Sequence, residues 1–292
     1  MKKYLLLLLL LCILTGCGEA DIVPVPRSDG IVIAILDTGI STAAIEGARL
    51  LSGYNYVLSS EDTEDRINHG TAVASVILGC ESAGIEAQTA DIPVVPLVIT
   101  DKVDGEVMSV SPEVLSKAIR DSVDVYGACI INVSMGIKED DPAVKEAIAY
   151  VQKQGALVIC AAGNSGDSED LYYPAAYDGV LTVGSHDKHL NVSDFTQKNG
   201  TVDILAPGED IWLASRNGKT YGAKGTSYAT GYVSAAAAVF WNDNWNLTAE
   251  EVMQKILSSA QTVDGWKILH TTGYSWMLQK RLERILRLES DT

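Results

Sequence analysis

The sequence predicts an α/β domain of three layers: a mostly parallel central sheet covered by helices on both faces. Two observations carry that expectation. Short apolar, β-branched runs alternate along the chain with longer segments of helical spacing, a pattern in which helical crossovers join parallel strands buried on both sides. No internal repeat or linker interrupts residues 30–288, so the alternation belongs to one domain.

The elements follow in order. Ile31 to Leu36 is a β-branched strand, and His69 to Leu78 has helical spacing. Ile92 to Ile99 reads as a strand, and Pro112 to Tyr126 as a helix with Val114, Leu115, Ala118, Ile119 and Val123 on one side. Ala128 to Val133 is a strand, Pro142 to Gln154 a helix and Ala156 to Ala161 a strand. Val180 to Val183 and Val202 to Leu205 are short strands, and Tyr228 to Trp241 and Ala249 to Ser259 are helices. Met277 to Leu288 places Leu278, Leu282, Ile285 and Leu286 on one face, as a closing helix packed on the core would. Residues 289–292 form a short tail.

Composition sets the outer limits. The 292 residues include 38 acidic and 22 basic side chains, a formal charge of −16, with 47% hydrophobic and 21% charged residues. That is globular composition. The acidic excess excludes a nucleic-acid partner, because neutralising phosphates needs clustered Lys and Arg. With Gly 25, Pro 8 and Cys 5, collagen-like and disulfide-scaffold chains are excluded as well.

The first residues read as an address. Lys2 and Lys3 precede an apolar run from Tyr4 to Leu14 with seven consecutive leucines, too short to span a bilayer and typical of a signal-peptide core. Leu14-Thr15-Gly16-Cys17 follows and resembles the lipobox of bacterial lipoproteins. The resemblance implies a signal peptide over residues 1–16, a diacylglycerol thioether on Cys17 and a lipid anchor holding the chain to a bacterial membrane, extracytoplasmic. Two or more acyl chains give stable anchoring where one is marginal. Residues 17–29, with Pro24 and Pro26, form a tether. Cys80, Cys129 and Cys160 remain; an odd number in apolar surroundings without CxxC spacing reads as buried thiols, with one unassigned bridge left open.

Three short segments carry chemistry. Ile35-Leu36-Asp37-Thr38-Gly39 ends a buried strand in an acid, Asn68-His69-Gly70-Thr71 puts a histidine at a helix start, and Gly225-Thr226-Ser227-Tyr228-Ala229 puts a serine at the opening of an alanine-rich helix. Singly each is weak, since serine is a common helix cap and a lone histidine is usually structural. Together, in the chain order Asp, His, Ser, they resemble the subtilisin-like serine proteases (subtilases). Ile131-Asn132-Val133-Ser134-Met135-Gly136 resembles that family's substrate-binding edge strand. Ala161-Ala162-Gly163-Asn164-Ser165-Gly166 resembles its oxyanion segment. Tyr173-Pro174, Ser193-Asp194-Phe195 and Leu205-Ala206-Pro207-Gly208 follow in the family's order.

The resemblance implies a subtilisin-like fold and an endopeptidase that acts through Asp37, His69 and Ser227. Ser227 is a poor nucleophile unaided, so His69 must take its proton, and Asp37 must orient the ring. Asn164 and the backbone N–H of Ser227 would hold the oxyanion. Ser134, Met135, Gly136, Ala162 and Gly163 are expected to bind substrate. Tyr228 and Gly231 stand where the family usually has Met and Pro, and the Gly suggests a packing role. Some twenty residues separate Cys17 from Asp37, too few for the propeptide common among secreted relatives, so folding without one is expected. No cofactor is required; a structural calcium ion has no assigned ligands. The partners expected are a peptide or protein substrate and the membrane, with the chain a monomer.

Three acidic groups are expected to surround the cleft: Glu61, Asp62, Glu64 and Asp65; Glu139, Asp140 and Asp141; Asp167, Glu169 and Asp170. As solvated charges they would do nothing specific; as a field they would favour Lys or Arg near the scissile bond. Other functions fare worse. An aspartic protease needs a second Asp-Thr-Gly, which is missing, and a P-loop at Gly218-Lys219-Thr220 needs Gly where Leu213 stands. His186 and His189 lack further spaced metal ligands. A peptide binder without turnover is the remaining alternative.

Overall fold

The computed structural model describes residues 30–45, 49–79, 89 and 91–269. Cys17, the tether, Cys80 and the segment 277–288 lie outside the described residues. In chain order the elements are β1 (Ile33–Asp37), β2 (Tyr54–Asn55), α1 (His69–Leu78), β3 (Val94–Val98), β4 (Lys102–Val103), β5 (Glu106–Val107), α2 (Pro112–Asp124), β6 (Ile130–Val133) and α3 (Pro142–Lys153). Then come β7 (Leu157–Ala161), β8 (Leu181–His186), β9 (Ile204–Pro207), β10 (Ile211–Ala214), β11 (Thr220–Ala223), α4 (Thr226–Asp243), α5 (Ala249–Ser259), β12 (Gln261–Val263) and β13 (Trp266–Ile268).

Nine of these strands form one sheet, in the order β12-β13-β9-β8-β7-β6-β1-β3-β2. Every neighbouring pair is parallel except β12 with β13. Because successive strand residues face opposite sides, each strand feeds two cores. Ile33 and Ile35 join Val73 and Ile77 of α1 and Val233 and Ala237 of α4. Ala34 and Leu36 join Leu115 and Ile119 of α2 and Val144 and Ile148 of α3. This is the expected three-layer α/β/α fold, and each fully buried aliphatic side chain contributes roughly 1.5–3 kcal/mol.

Local chemistry sets the helix ends. Asp141 caps α3 by accepting from the N–H groups of Ala143 and Val144, with Pro142 in the first turn. Thr248 and Glu251 form a reciprocal capping box on α5. The helix α4 is buried on nearly every side, Trp241 included, which explains its run of alanines. Gly231 lets it approach α1 closely: a Cβ there would meet Val76 Cβ at 3.0 Å.

The structure extends the sequence reading in two places. The helix α4 begins at Thr226, two residues before the expected start, so Ser227 lies inside its first turn. The edge strand β2, the hairpins β4–β5 and β10–β11 and the edge pair β12–β13 were not expected as strands; Trp212 is exposed in β10, and β12–β13 is mostly polar and exposed at its β12 arm. Cys129 and Cys160 are free, buried thiols.

Candidate active site

The strand β1 sits between β6 and β3, with the chain running first to one side and then to the other. At such a reversal the loops beyond the carboxyl ends of the strands part and leave a crevice. Asp37 is the last residue of β1, Ser134 follows β6, Asn164 follows β7, and His69 and Ser227 lie in the first turns of α1 and α4. Five segments distant in sequence therefore meet at one end of the sheet.

Asp37 is fully buried, and its Oδ1 lies 2.7 Å from His69 Nδ1 while also accepting the Thr38 N–H at 2.8 Å. The other carboxylate oxygen, Oδ2, is buried with no hydrogen-bond partner. Burial works against a charged His69, but the negative charge and hydrogen bond of Asp37, with the charge of Asp65 behind it, outweigh burial and hold the ring above its usual 6.5.

The loop that delivers His69 is organised by Asp65. Its buried carboxylate accepts from Thr38 Oγ1, from the N–H groups of Ile67, Asn68 and Thr71, and from Thr71 Oγ1, at 2.7–2.9 Å. Thr38 Oγ1 in turn accepts the Gly70 N–H at 2.7 Å. A side chain at residue 70 would collide with the Gly39 carbonyl, so the His-Gly pair is dictated by packing. Asp65 thus contributes to no surface field. Asp62 pairs with Arg66, and Arg66 also pairs with the buried Asp101.

Ser227 Oγ donates to the Ser134 carbonyl at 2.9 Å. The ring of Tyr228 lies against His69 with centroids 5.7 Å apart. Asn164 accepts from the Thr226 N–H at 2.9 Å and from Thr226 Oγ1 at 3.1 Å. Both bonds use Oδ1, which leaves the amide donors of Asn164 turned away from Thr226.

Beside Ser227 is a cavity of about 270 Å³ between the segments 134–136 and 163–165. Ser134, Met135, Gly136, Gly163 and Asn164 line it. Ala162 does not: it is 1% exposed and its N–H is spent on the Val183 carbonyl. No charged side chain lines the cavity. Of the acids expected around it, Asp141 caps α3, Asp140 accepts from Tyr177, and Asp167 pairs with Lys198. Asp170 lies 4.0 Å from Lys138 Nζ, and Glu139 and Glu169 are exposed. Among the described residues no group of three or more His, Cys, Asp or Glu could hold a metal ion, and no helix is long and apolar enough to cross a membrane.

Sequence reasoning gave no role to Thr38, Thr226 and Tyr172, and it placed Asp65 among acids around the cleft, not beneath the His69 loop. Asp65 was hidden in a run of acids, where only its position four residues before His69 set it apart.

A hydroxyl and an amide that line one cavity, with a paired imidazole and buried carboxylate at the same end of the sheet, suit acyl transfer. Residues 28–275 match the Subtilase family, Peptidase_S8. The chain belongs to that family. Its relatives include the major intracellular serine protease of Bacillus subtilis (strain 168), 34% identical over 266 residues that cover 86% of this chain and 82% of the relative. Subtilisin BL of Lederbergia lenta is 30% identical, with 80% and 84% covered. A cold-adapted subtilisin-like serine proteinase superposes with a TM-score of 0.73 at 26% identity, covering 83% of this subtilase and 89% of that structure. The subtilase described here is therefore a serine protease with the subtilisin-like fold.

Proposed function

We propose that this subtilase is an endopeptidase whose triad is Asp37, His69 and Ser227, with Asn164 as oxyanion donor. The observation that carries the reading is the 2.7 Å contact of His69 with the buried Asp37, the His69 ring lying against Tyr228, the residue after Ser227, while Ser227 and Asn164 line the cavity. In the first step Ser227 Oγ attacks the peptide carbonyl carbon and passes its proton to His69, while Asp37 stays ionised and steadies the imidazolium. The oxyanion takes hydrogen bonds from Asn164 and from the Ser227 N–H, one of the first amides of α4, which have no partner within the helix. Collapse breaks the C–N bond, and the leaving amine takes the proton from His69. Water then repeats the sequence on the acyl-enzyme and restores Ser227.

The substrate backbone pairs with the edge Ser134 to Gly136 by strand addition. A preference for Lys or Arg belongs to positions flanking the scissile bond, drawn by the exposed Glu139 and Glu169, and not to the uncharged cavity. Cys17 carries a lipid that holds the monomeric enzyme on the outer side of a bacterial membrane. A fluorophosphonate probe tests the triad: the protein should label and Ser227→Ala should not. An unlabelled protein that still retains peptides would instead be a binder without turnover. Cys17→Ser should lose alkynyl-palmitate incorporation and leave the membrane fraction; unchanged partitioning would refute the anchor.

A further inference from the structure

We propose that Tyr228 is the positioning residue for the base: its ring is the wall on which the His69 imidazole rests, and the hairpin β10–β11 holds that wall in place. The inference rests on the endopeptidase reading above. Asp37 grips His69 at Nδ1, at 2.7 Å. One hydrogen bond fixes that atom and the tautomer but does little to stop the ring from tilting about it. The Tyr228 ring supplies a second contact, with centroids 5.7 Å apart and planes inclined by 37°. Tyr228 is itself buried, in the first turn of α4 and directly after Ser227. The wall and the nucleophile therefore share one rigid turn, and the wall sets the imidazole against the hydroxyl it must deprotonate.

The wall is anchored at its far end. Burial first, and Tyr221 second, hold the Tyr228 phenol above its usual 10, so it keeps its proton and donates to the Tyr221 hydroxyl on β11. A buried phenol needs such a partner. Tyr221 is engaged in turn by the side chain of Asn68, the residue before His69. Asn68 has a backbone φ of 95°, in the left-handed region that asparagine enters more readily than most residues. Its Oδ1 accepts the Arg216 N–H from the hairpin turn at 2.6 Å. The Arg216 carbonyl accepts from Ser41 Oγ at 2.9 Å, and the Ser41 N–H donates to Thr71 Oγ1 of α1 at 3.0 Å. The contacts close a circuit from His69 through Tyr228, Tyr221 and Asn68 back to His69, and it ties the start of α1 to the start of α4. A methionine at residue 228 could fill the space, but a thioether has no proton to give Tyr221.

Steady-state kinetics and proton NMR on the full chain test this with Tyr228→Leu, Tyr228→Phe and Tyr221→Phe. Tyr228→Leu removes the flat face but keeps an apolar side chain. It should lower kcat by about 10–100-fold, the scale of a small misplacement of a catalytic group, with KM within about twofold of wild type. The low-field resonance of the proton between His69 and Asp37, sharp in wild type, should broaden in Tyr228→Leu as the ring moves, at a temperature where the variant is still folded. Tyr228→Phe and Tyr221→Phe cut the same link, so each should lower kcat by at least about twofold, and the double variant should be no slower than the slower single. These two decide the matter if Tyr228→Leu does not fold. A Tyr228→Leu enzyme with wild-type kcat and an equally sharp resonance overturns the proposal, as does a loss carried wholly by KM. Unchanged kcat in both Phe variants, or additive losses in the double, overturns it too. Absence of any cleavage or probe labelling in wild type would count against the endopeptidase reading itself, while the resonance would still report on the contact between the rings.

Discussion

Ser134 and Ser227, ninety-three residues apart, are joined by two reciprocal bonds: Ser227 Oγ donates to the Ser134 carbonyl at 2.9 Å, and Ser134 Oγ donates to the Ser227 carbonyl at 3.3 Å. The pair locks the first turn of α4 to the end of β6. It is continued inward, because Asn132 Nδ2 donates to Ser134 Oγ and Asn132 Oδ1 accepts from Ser234, both at 2.9 Å. A polar chain thus runs through the core from Ser227 to the third turn of its own helix.

Breaking that chain at its middle should disturb both stability and catalysis. Asn132 is fully buried, and Asn132→Ala would leave the hydroxyls of Ser134 and Ser234 short of partners. Each such loss costs about 1–3 kcal/mol, so a destabilisation of roughly 3 kcal/mol is expected in denaturant melts. Because Ser227 would be placed less well, kcat should fall more than KM rises. Stability equal to wild type would contradict the role assigned to the chain.

Asp37→Asn tests the electrostatics of the base. Removing the neighbouring charge should lower kcat by about 10⁴ if Asp37 orients His69 as a triad acid does. The pH profile should move with it. Asp37 helps hold His69 above 6.5, and the base must be neutral to accept a proton, so the acid limb of kcat/KM in wild type lies above that value. In Asp37→Asn the residual activity should show its acid limb displaced to lower pH. An unmoved limb would mean that the titration belongs to another group.

Much of this architecture was readable from residue order, and the failures have physical causes. Asp37, His69 and Ser227 stood out because each sits where a strand or helix begins or ends, which local patterns mark well. Ala162 was misplaced because Asn164 beside it does line the cleft, whereas strand pairing turns the Ala162 N–H into the sheet. Asp65 looked like one more surface acid; its burial depends on Thr38 and Thr71 arriving from other segments. The place of Tyr172 in the cavity lining could not be read locally either, since its hydroxyl meets Ser165 only once the chain between them has folded back.

Asn164 and Thr226 separate the proposed oxyanion donor from the residue that holds it. Asn164→Ala should lower kcat by about 10²–10³, the loss measured for an oxyanion-hole asparagine in a subtilisin and carried here by family membership. Thr226→Val keeps the amide but removes the hydroxyl that reaches Asn164 Oδ1. It should cost less, about tenfold in kcat, with KM little changed. If Thr226→Val matched Asn164→Ala, Thr226 would be acting on substrate directly and not through Asn164.

Two histidines should pull stability in opposite directions as the pH falls. His186 is buried and its pKa lies below 6.5 because burial disfavours the charged ring, with the carbonyl and charge of Asp187 offsetting only part of that. The fold therefore prefers His186 neutral. Its contribution is complete above the unfolded value near 6.5 and is lost as pH falls from there toward the folded pKa. His69 has the opposite sign: raised in the fold, it adds stability below 6.5 that disappears as pH rises through its folded pKa. Melting temperatures at pH 7.5 and 5.5 separate the two. His186→Gln should narrow the loss of stability on acidification, and His69→Ala should widen it. If both variants changed the difference in the same direction, one of the two burial environments would have been assigned the wrong sign.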